Sequence, residues 1–521
     1  MKIERTKNAT RNITFEFMLR IYRIAVPFVM RTVMIYILGV EYLGLNYLFT
    51  SILEVLNLAE LGIGSAMIYS MYKPIAEDDE VTICGLMKLY KIYYRVIGGV
   101  VFIVGLILLP FIPKLITGEI PQDINIYILY LLNLSGTVLS YWLFAYKNSI
   151  LLAHQRVDMI SKVTIATDTF KYIMQLGVLF LFGNYYYFVM MILISQILTN
   201  VATAIVSDRM YPKYKAVGKL PKHVVKSINR RIRDLFTAKL GGTIVNSADT
   251  IVISAFLGLT SLAIYQNYYF IMKSVIWFMM IIFNACTAGI GNSIVTESKE
   301  KNYNDFVKFT FFTFWISGIF ACCLLCLYQP FMRLWMGDNL LLPLGCVVLF
   351  CVYFYLFTTN SLFCTYKDAA GIWHEDRFRP LVGAMVNLFI NLILVKKMGI
   401  YAILLSTVLS YIFVAMPWLI HNLFGVIFKR SFFKYVINLL KYTIVIVIAS
   451  IVSYLLCLLI PDTKIISLFL KAAVSFLISN IIFWLIFHRR KEFDEMLNLL
   501  ENISKHKMDK LFEKFRYKGD V

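Results

Sequence analysis

Apolar segments of about 20 residues recur along the whole chain and constrain its fold more than any other feature. Hydrophobic residues make up 60% of the 521 residues, charged residues make up 16%, and the mean hydropathy is +0.72. Such segments cross a bilayer as helices, because no water is present in the hydrocarbon to satisfy the backbone. The short alternating segments of membrane barrels do not occur in the sequence. We therefore predict an all-α polytopic membrane protein.

Fourteen apolar segments can be read between charged stretches. Their centres lie near Met30, Leu56, Val101, Leu139, Gln175, Leu193, Val245, Met279, Ile316, Phe354, Phe389, Leu409, Val447 and Leu477. We predict an N-terminal lobe of six helices (1–210), a basic cytoplasmic loop (211–231), a C-terminal lobe of six helices (232–428), two peripheral extra helices (429–487) and a charged cytoplasmic tail (488–521). The apolar residues of the tail recur at helical spacing, which predicts an interfacial helix on the cytoplasmic surface. They are Phe493, Met496, Leu497, Leu500 and Ile503.

Basic residues are concentrated in the loops on one side of the predicted membrane. The formal net charge is +20, and the loop after the sixth segment holds Arg209, Lys213, Lys215, Lys219, Lys222, Lys226, Arg230, Arg231 and Arg233. The loops VEYLG, FGNYY and LGLTS on the other side contain neither Lys nor Arg. Retained positive charge together with an even number of spans places both termini in the cytoplasm. Membrane lipids are therefore the expected partners of this charge, and no nucleic acid is expected.

The two halves resemble weak repeats of each other. Gly62 and Gly64 close the second segment, and Gly289 and Gly291 close the eighth. A Leu-Gly pair, Leu38-Gly39 or Leu257-Gly258, precedes each of these segments. Six spans separate the copies, so they share one orientation, and parallel repeats of this kind predict a substrate cavity between two lobes.

Seven basic residues within the predicted spans are candidate cavity residues: Arg20, Arg23, Arg31, Arg95, Lys171, Lys239 and Lys273. A charge facing lipid at the bilayer centre costs at least about 2.5–3.5 kcal/mol, so it normally faces a cavity or a partner. Arg20, Arg23 and Arg31 fall on one arc of about 80° of the first helix. Arg20 and Arg23 could instead reach the cytoplasmic interface with their long side chains. Arg31 lies too near the centre of the span to do so.

Seven further polar residues within the spans are predicted to line the same cavity or to couple an ion: Asp168, Asp249, Asn246, Gln175, Gln266, Glu54 and Asn57. Asp168 and Lys171 stand at i and i+3, close enough to pair. A structural ion pair between them is the alternative interpretation. Basic residues exceed acidic ones within the spans, so the cavity should attract anions such as phosphates.

Neither an enzymatic centre nor a cofactor or metal site is expected from the remaining motifs. His154 and Asp158 form HxxxD, one residue short of the acyltransferase pattern. Cys323 and Cys326 form a CxxC pair inside an apolar helix, where small helix-packing residues are typical.

Two stretches carry a resemblance to a known family. The first comprises Val40–Asn46, Leu58–Ala66 and Tyr72–Ala76, and the second comprises Asn246–Ser254 and Tyr265–Tyr268. In these residues and in its fourteen-span layout the chain resembles the polysaccharide-exporter (Wzx-type flippase) branch of the MOP superfamily, which also contains the MATE drug exporters and the lipid II flippases.

The resemblance implies a MATE-like bundle of six plus six helices with two extra helices. Such proteins flip undecaprenyl-diphosphate-linked oligosaccharides across the bacterial cytoplasmic membrane by alternating access through a cationic cavity. The positions that fit the cavity are chiefly Arg31, Lys171 and Lys273, followed by Lys239 and Arg95. An H+ or Na+ coupling ion and the polysaccharide assembly machinery would be partners. Asp249 could bind that ion, relay a proton or only pair with Lys239.

Two other functions stay open at this point. A MATE-type drug antiporter would need a cavity dominated by carboxylates, against which the basic surplus argues. A membrane glycan polymerase or ligase would need a long external loop. The longest external loop here, around Pro330 to Leu342, offers only Arg333 and Asp338.

Overall fold

The computed structural model describes residues 5–60, 62–118, 120–461 and 465–503. Within these ranges all regular structure is helical and no strand occurs, which confirms the predicted all-α class. The chain forms two compact units, one ending at Ala263 and the other beginning at Ile264. The lobe boundary predicted at 211–231 rests on the basic cluster that lies between the sequence repeats, and it stays a prediction.

The first unit contains eight helices and the first part of a ninth. They are α1 (Arg5–Ile37), α2 (Val40–Leu56), α3 (Ile63–Ala76), α4 (Glu80–Leu108), α5 (Ile126–Trp142), α6 (Asn148–Ala153), α7 (Val157–Phe182), α8 (Tyr185–Met210) and α9 (Lys222–Thr296). The second unit contains the rest of α9, α10 (Lys299–Met336), α11 (Leu344–Ala369), α12 (Arg379–Met398), α13 (Ile400–Ser410), α14 (Met416–Leu423), α15 (Phe433–Leu458), α16 (Ile465–Phe487) and α17 (Lys491–Ile503).

These helices accommodate the fourteen predicted spans. In the described part of the chain, ten segments are long and apolar enough to cross a membrane, and α5 with the segment Ala145–Ala153 forms an eleventh that bends by 49°. Helices α1 and α2 are not among these segments, because α1 carries three arginines in its apolar half and α2 has only 17 residues. Helix α9 contains two predicted spans, one on each side of Gly258. The chain is therefore a multi-pass membrane protein.

Gly39 and Gly258 have the same unusual backbone conformation at the corresponding turns of the two halves. Gly39 has φ 122° and ψ 165°, and Gly258 has φ 86° and ψ 174°, a combination that residues with a Cβ avoid. A Cβ on Gly258 would also lie 2.8 Å from the carbonyl oxygen of Thr117. Six of the nine positive-φ glycines in the described residues form pairs separated by roughly 220 residues, as a parallel repeat would produce: Gly39 with Gly258, Gly118 with Gly337, and Gly183 with Gly399.

The other predicted echo is not a structural one. Helix α2 ends at Leu56, and Gly62, with φ 87°, precedes α3. Gly289, by contrast, lies inside the continuous helix α9. The second segment thus ends before Gly62, whereas the eighth continues as helix through Gly289, so the predicted likeness between these two glycines was wrong as a structural correspondence.

The predicted basic loop is shorter in the structure. Helix α8 ends at Met210 and α9 begins at Lys222, so the basic residues from Lys222 onwards lie on the first turns of α9. Charged side chains on a helix that leaves the membrane still serve as a topological anchor at the headgroups.

The two extra helices, α15 and α16, pack against α10 of the second unit, and their peripheral place in the bundle stays a prediction. Helix α16 presents one buried face, made of Lys471, Ser475, Ser479, Phe483 and Phe487. Gly318 of α10 permits this packing, because a Cβ there would lie 2.7 Å from the ring of Phe483. Trp315 of α10 also donates a hydrogen bond to Asn480 at 3.1 Å.

The predicted tail helix exists as α17, and its apolar face packs against the protein. Phe493, Met496 and Leu497 are buried, and the ring of Phe493 lies 5.3 Å from that of Trp315. Lys308 of α10 forms an ion pair with Glu495 at 3.6 Å. The side chains of Leu500 and Ile503 lie outside the described residues. The predicted helix is thus present and docked on α10, and its place at the cytoplasmic surface stays a prediction.

Replacing Phe493 by alanine should lower the melting temperature of the purified protein. The ring is 2% exposed, and truncating a buried Phe typically costs about 3–5 kcal/mol. Phe433→Ala is the matched control, since that ring is 68% exposed. Thermal unfolding followed by tryptophan fluorescence in detergent measures both. Equal melting temperatures for the two variants would show that α17 is not docked.

Candidate functional site

Three of the predicted residues, Arg31, Lys171 and Gln175, line one cavity inside the first unit. The cavity has a volume of about 200 Å³. Its walls come from α1, α2, α7 and α8, and the lining residues are Pro27, Met30, Arg31, Met34, Leu43, Asn46, Tyr47, Lys171, Tyr172, Gln175, Phe188 and Ile192. We call it the basic cavity, because Arg31 and Lys171 are its charged residues and the described lining residues include no carboxylate.

Helix α1 packs along α7 and carries Arg31 into the basic cavity. Pro27 lies one turn before Arg31 within the helix, where a proline weakens the backbone hydrogen bonding and allows a bend. The Arg31 guanidinium lies 5.2 Å from the centre of the Tyr47 ring on α2. An aromatic face stabilises a cation while leaving its edge available to an anion.

Lys171 is held in place by Asp168 on the same helix. Its ammonium donates to Asp168 Oδ1 at 2.7 Å and lies 4.2 Å from the centre of the Tyr172 ring. The other carboxylate oxygen of Asp168 is 4.0 Å from Nε of Arg23. One carboxylate thus serves two cations, and with Arg31 the group keeps a surplus of two positive charges. The predicted pair at i and i+3 is present, beside a cavity that Lys171 also lines.

Gln175 forms another part of the cavity wall, one helical turn after Lys171 on α7. Its side chain is 2% exposed, and Nε2 donates to the carbonyl oxygen of Phe188 on α8 at 3.2 Å. The amide therefore ties α7 to α8 at the level of the cavity.

Glu54 and Asn57 line a second cavity of about 460 Å³ that adjoins the first, since Asn46 and Ile192 line both. The polar lining residues come from α2, the turn after it, α5 and α8, and are Asn46, Thr50, Glu54, Asn57, Asn133, Thr137 and Gln196. We call it the amide cavity, because four of these side chains are carboxamides. Sequence analysis missed Asn46, Thr50, Asn133, Thr137 and Gln196.

The remaining predicted residues are not brought to these cavities. Arg20 and Arg95 are exposed, and Arg23 is 51% exposed at its ion pair with Asp168. Asp249 is buried on α9 in the first unit. The side chains of Lys239 and Asn246 lie outside the described residues.

Lys273 and Gln266 belong to the second unit. Lys273 is exposed, with its ammonium 4.9 Å from the centre of the Tyr269 ring, and Gln266 is half-buried.

A carboxylate caged by tyrosines was also missed. Glu60, in the turn after α2, accepts hydrogen bonds from Tyr94 at 2.6 Å and from Tyr141 at 2.8 Å. Tyr90 in turn lies 2.7 Å from Tyr94, oxygen to oxygen. The spacing of Tyr90 and Tyr94 at i and i+4 on α4 was the available signal. The cage keeps a charged group satisfied at the end of α2.

His154 and Asp158 do not form a catalytic pair. The His154 ring lies 4.1 Å from that of Tyr211 and 5.6 Å from that of Tyr214, and this burial lowers the pKa of the histidine. Asp158 instead accepts two hydrogen bonds from Arg156. The structure therefore assigns His154 to an aromatic cluster and Asp158 to an ion pair with Arg156.

Solved structures of membrane transporters share this architecture. A multidrug resistance MATE transporter of the MOP superfamily, in an inward-facing conformation, aligns with a TM-score of 0.62 over 80% of this chain and 99% of its own, at 14% identity. The lipid II flippase MurJ, in an inward closed conformation, aligns with a TM-score of 0.60 over 91% of this chain and 98% of its own, at 13% identity. The fold is that of the MOP superfamily transporters. No family model and no curated protein matches the sequence significantly.

A third relative of the MOP fold shows that its pocket can change polarity. A MOP superfamily transporter from Pyrococcus furiosus, described as having a binding pocket of reverse polarity that suggests a different function, aligns with a TM-score of 0.52 over 82% of this chain and 97% of its own, at 13% identity. The MOP fold therefore does not identify a substrate by itself, and the substrate has to be inferred from the side chains of the site.

Proposed function

We propose that this protein is a flippase that moves an undecaprenyl-diphosphate-linked oligosaccharide from the inner to the outer leaflet of the bacterial cytoplasmic membrane, for surface polysaccharide biosynthesis. The observation that carries the proposal is the basic cavity, in which Arg31 and Lys171 meet without a lining carboxylate. On the MOP fold, whose solved members include transporters and a lipid II flippase, such a cavity suits the diphosphate.

The chemistry of the cavity suits a diphosphate in two respects. Guanidinium groups bind phosphate oxygens with two parallel hydrogen bonds, and an ammonium adds a compact point charge. Both cations lie in predicted spans, where a charge is retained at a cost in stability for its function. Arg23 does not line the cavity but shares Asp168 with Lys171, and the three cations less this one carboxylate leave two positive charges, the number that balances a diphosphate diester.

A MATE-type antiporter of cationic drugs is the alternative within transport. One observation favours it, namely that Glu54 lines the amide cavity. A single carboxylate next to two cations is a poor site for a cation, because the like charges repel it at short range.

The proposal includes alternating access with both termini in the cytoplasm, and coupling to H+ or Na+. Asp249, which is buried on α9, is the carboxylate proposed for that coupling. The polysaccharide assembly machinery is the proposed partner on the outer side.

Transport of a labelled lipid-linked glycan into the outer leaflet tests the proposal. The purified protein is reconstituted into vesicles with a fluorescent undecaprenyl-diphosphate oligosaccharide, and a membrane-impermeant quencher reports its leaflet over time. We expect faster loss of fluorescence than in protein-free vesicles, and a further change when a proton or sodium gradient is imposed. Movement of a cationic dye without movement of the lipid would overturn the proposal in favour of the antiporter.

A further inference from the structure

The basic cavity and the amide cavity are adjacent but chemically different. They share the lining residues Asn46 and Ile192. In the basic cavity the charged groups are cations, whereas the amide cavity is lined by carboxamides, hydroxyls and the carboxylate of Glu54, with no cation among its described lining residues. This difference indicates a ligand in which an anionic group lies next to an uncharged polar group.

The amide cavity has the donors and acceptors of a sugar site. Carboxamides and a carboxylate each offer two polar atoms in one plane, which matches neighbouring hydroxyl groups on a sugar ring. Its volume of about 460 Å³ lies in the range of small-molecule sites, about 300–1,000 Å³. Leu53, Leu132 and Leu193 supply apolar wall for the non-polar faces of the ring.

Hydrogen bonds within the protein fix several of these side chains. The hydroxyl of Tyr141 lies 2.9 Å from Oδ1 of Asn57 and 2.8 Å from Oε2 of Glu60, and its single hydrogen is shared between these two acceptors. Nδ2 of Asn133 donates to the carbonyl oxygen of Leu129 at 2.9 Å, so Oδ1 is its acceptor. Ser247 donates to Glu54 at 3.4 Å. A site with preset donors and acceptors loses little conformational entropy on binding.

From this geometry we propose that the amide cavity binds the first sugar of the substrate, the one bonded to the diphosphate, while the diphosphate occupies the basic cavity. The proposal rests on the proposed function. A phosphorus–oxygen–carbon linkage joins that sugar to the diphosphate, so the two groups must bind next to each other. The two cavities meet this condition, because Asn46 lines both. Glu54 makes the site selective for neutral sugars, because a uronic acid would bring a second carboxylate against it.

Binding of two lipids to the purified protein in nanodiscs tests the inference. One probe is undecaprenyl diphosphate, and the other is the same lipid carrying a single neutral N-acetylhexosamine. We expect the wild-type protein to bind the sugar-bearing lipid at least about 10-fold more tightly, as one or two additional hydrogen bonds to charged or amide groups would give.

Two variants assign the gain to the amide cavity. Glu54→Gln keeps the shape of the side chain, and Gln196→Ala changes an exposed residue, so both should fold. Each should lose most of the sugar-dependent gain and leave the affinity for undecaprenyl diphosphate within about two-fold. Glu77→Gln, in an exposed ion pair with Lys73 outside the cavity, is the matched control and should change neither affinity.

The outcomes separate this inference from the proposed function. Equal wild-type affinities for the two lipids, or an equal loss for both lipids in Glu54→Gln and Gln196→Ala, would overturn the sugar site while the flippase proposal stands. Failure of the wild-type protein to bind either lipid would overturn both. A lipid bearing a uronic acid that binds as tightly as the neutral one would overturn the assigned selectivity.

Discussion

Replacing Arg31 by glutamine should nearly abolish movement of the lipid-linked glycan while leaving the protein folded and inserted. A hydrogen bond to a charged group contributes about 1.5–3 kcal/mol, so losing the contact to the diphosphate should slow transport about 10- to 150-fold. The measurement is the initial rate of the quenching assay in reconstituted vesicles, normalised to the amount of inserted protein.

Stability distinguishes a substrate contact from a helix-packing contact. Keeping a cation at bilayer depth costs stability, so Arg31→Gln should leave the melting temperature unchanged or raise it. Loss of transport together with loss of stability would mean that Arg31 holds helices together instead. Arg31→Lys keeps the charge but not the planar pair of donors, and should retain part of the rate.

Two further variants serve as controls in the same assay. Arg20→Gln removes an exposed arginine of the same helix and should transport normally. Lys171→Gln should reduce the rate at least as much as Arg31→Gln, because it also frees the carboxylate of Asp168, which Arg23 compensates only in part and which then repels the diphosphate. Normal transport by Arg31→Gln would remove the main support for the flippase proposal.

The features that the sequence could predict depend on residues close together in the chain or on a regular spacing of residues. The apolar runs predicted the helices because the bilayer leaves the backbone no other choice. The pairing of Asp168 with Lys171 followed from one helical turn, and the cost of a central charge indicated Arg31. These inferences need no knowledge of which helices are neighbours.

The amide cavity could not be predicted from the sequence, because it depends on which helices are neighbours. Asn46, Asn133 and Gln196 lie on three different helices, and one amide on one helix is unremarkable in a membrane protein, where it often bonds to a neighbouring helix. Only tertiary packing places the three around one space. The docking of α17 on α10 was hidden in the same way, since an apolar stripe does not say whether it faces lipid or protein.

One missed signal was present in the sequence. Tyr146-Lys147 stands before His154 with the same spacing as Tyr366-Lys367 before His374, at the end of the fourth and the tenth spans. Attention to the HxxxD pattern at His154 obscured this longer repeat. Each copy is followed by an aspartate that the structure buries, Asp158 in the first unit and Asp376 in the second.

Each of these aspartates joins two cations at the turn that leads into the next helix. Asp158 is 0% exposed, accepts from Nε and Nη2 of Arg156 at 2.9 and 3.1 Å, and lies 2.9 Å from Nε of Arg11 on α1. Asp376 is 4% exposed, accepts from Nε and Nη2 of Arg379 at 2.6 and 2.9 Å, and lies 3.4 Å from Nζ of Lys367. The same arrangement thus secures a turn in each unit.

Asp158→Asn and Asp376→Asn should therefore be the most destabilising of the conservative substitutions in this chain. Removing one partner of a buried ion pair costs about 3–5 kcal/mol, because Arg156 or Arg379 then loses the carboxylate that both of its donor nitrogens bind. Thermal unfolding in detergent should show a large fall for each variant, little affected by salt, since buried pairs are poorly screened. Asp234→Asn, whose pairing with Arg233 is exposed, should melt like the wild type.

The double variant Asp158→Asn with Asp376→Asn tests whether the two turns are energetically coupled. The described partners of Asp158 and Asp376 are entirely separate, so the two losses in free energy should add. A loss in the double variant clearly different from the sum would reveal coupling between the turns, and with it a mechanical link that alternating access could use. Melting of either single variant at the wild-type temperature would instead show that the arginine forks are dispensable, and that the aspartates recur for a reason other than stability.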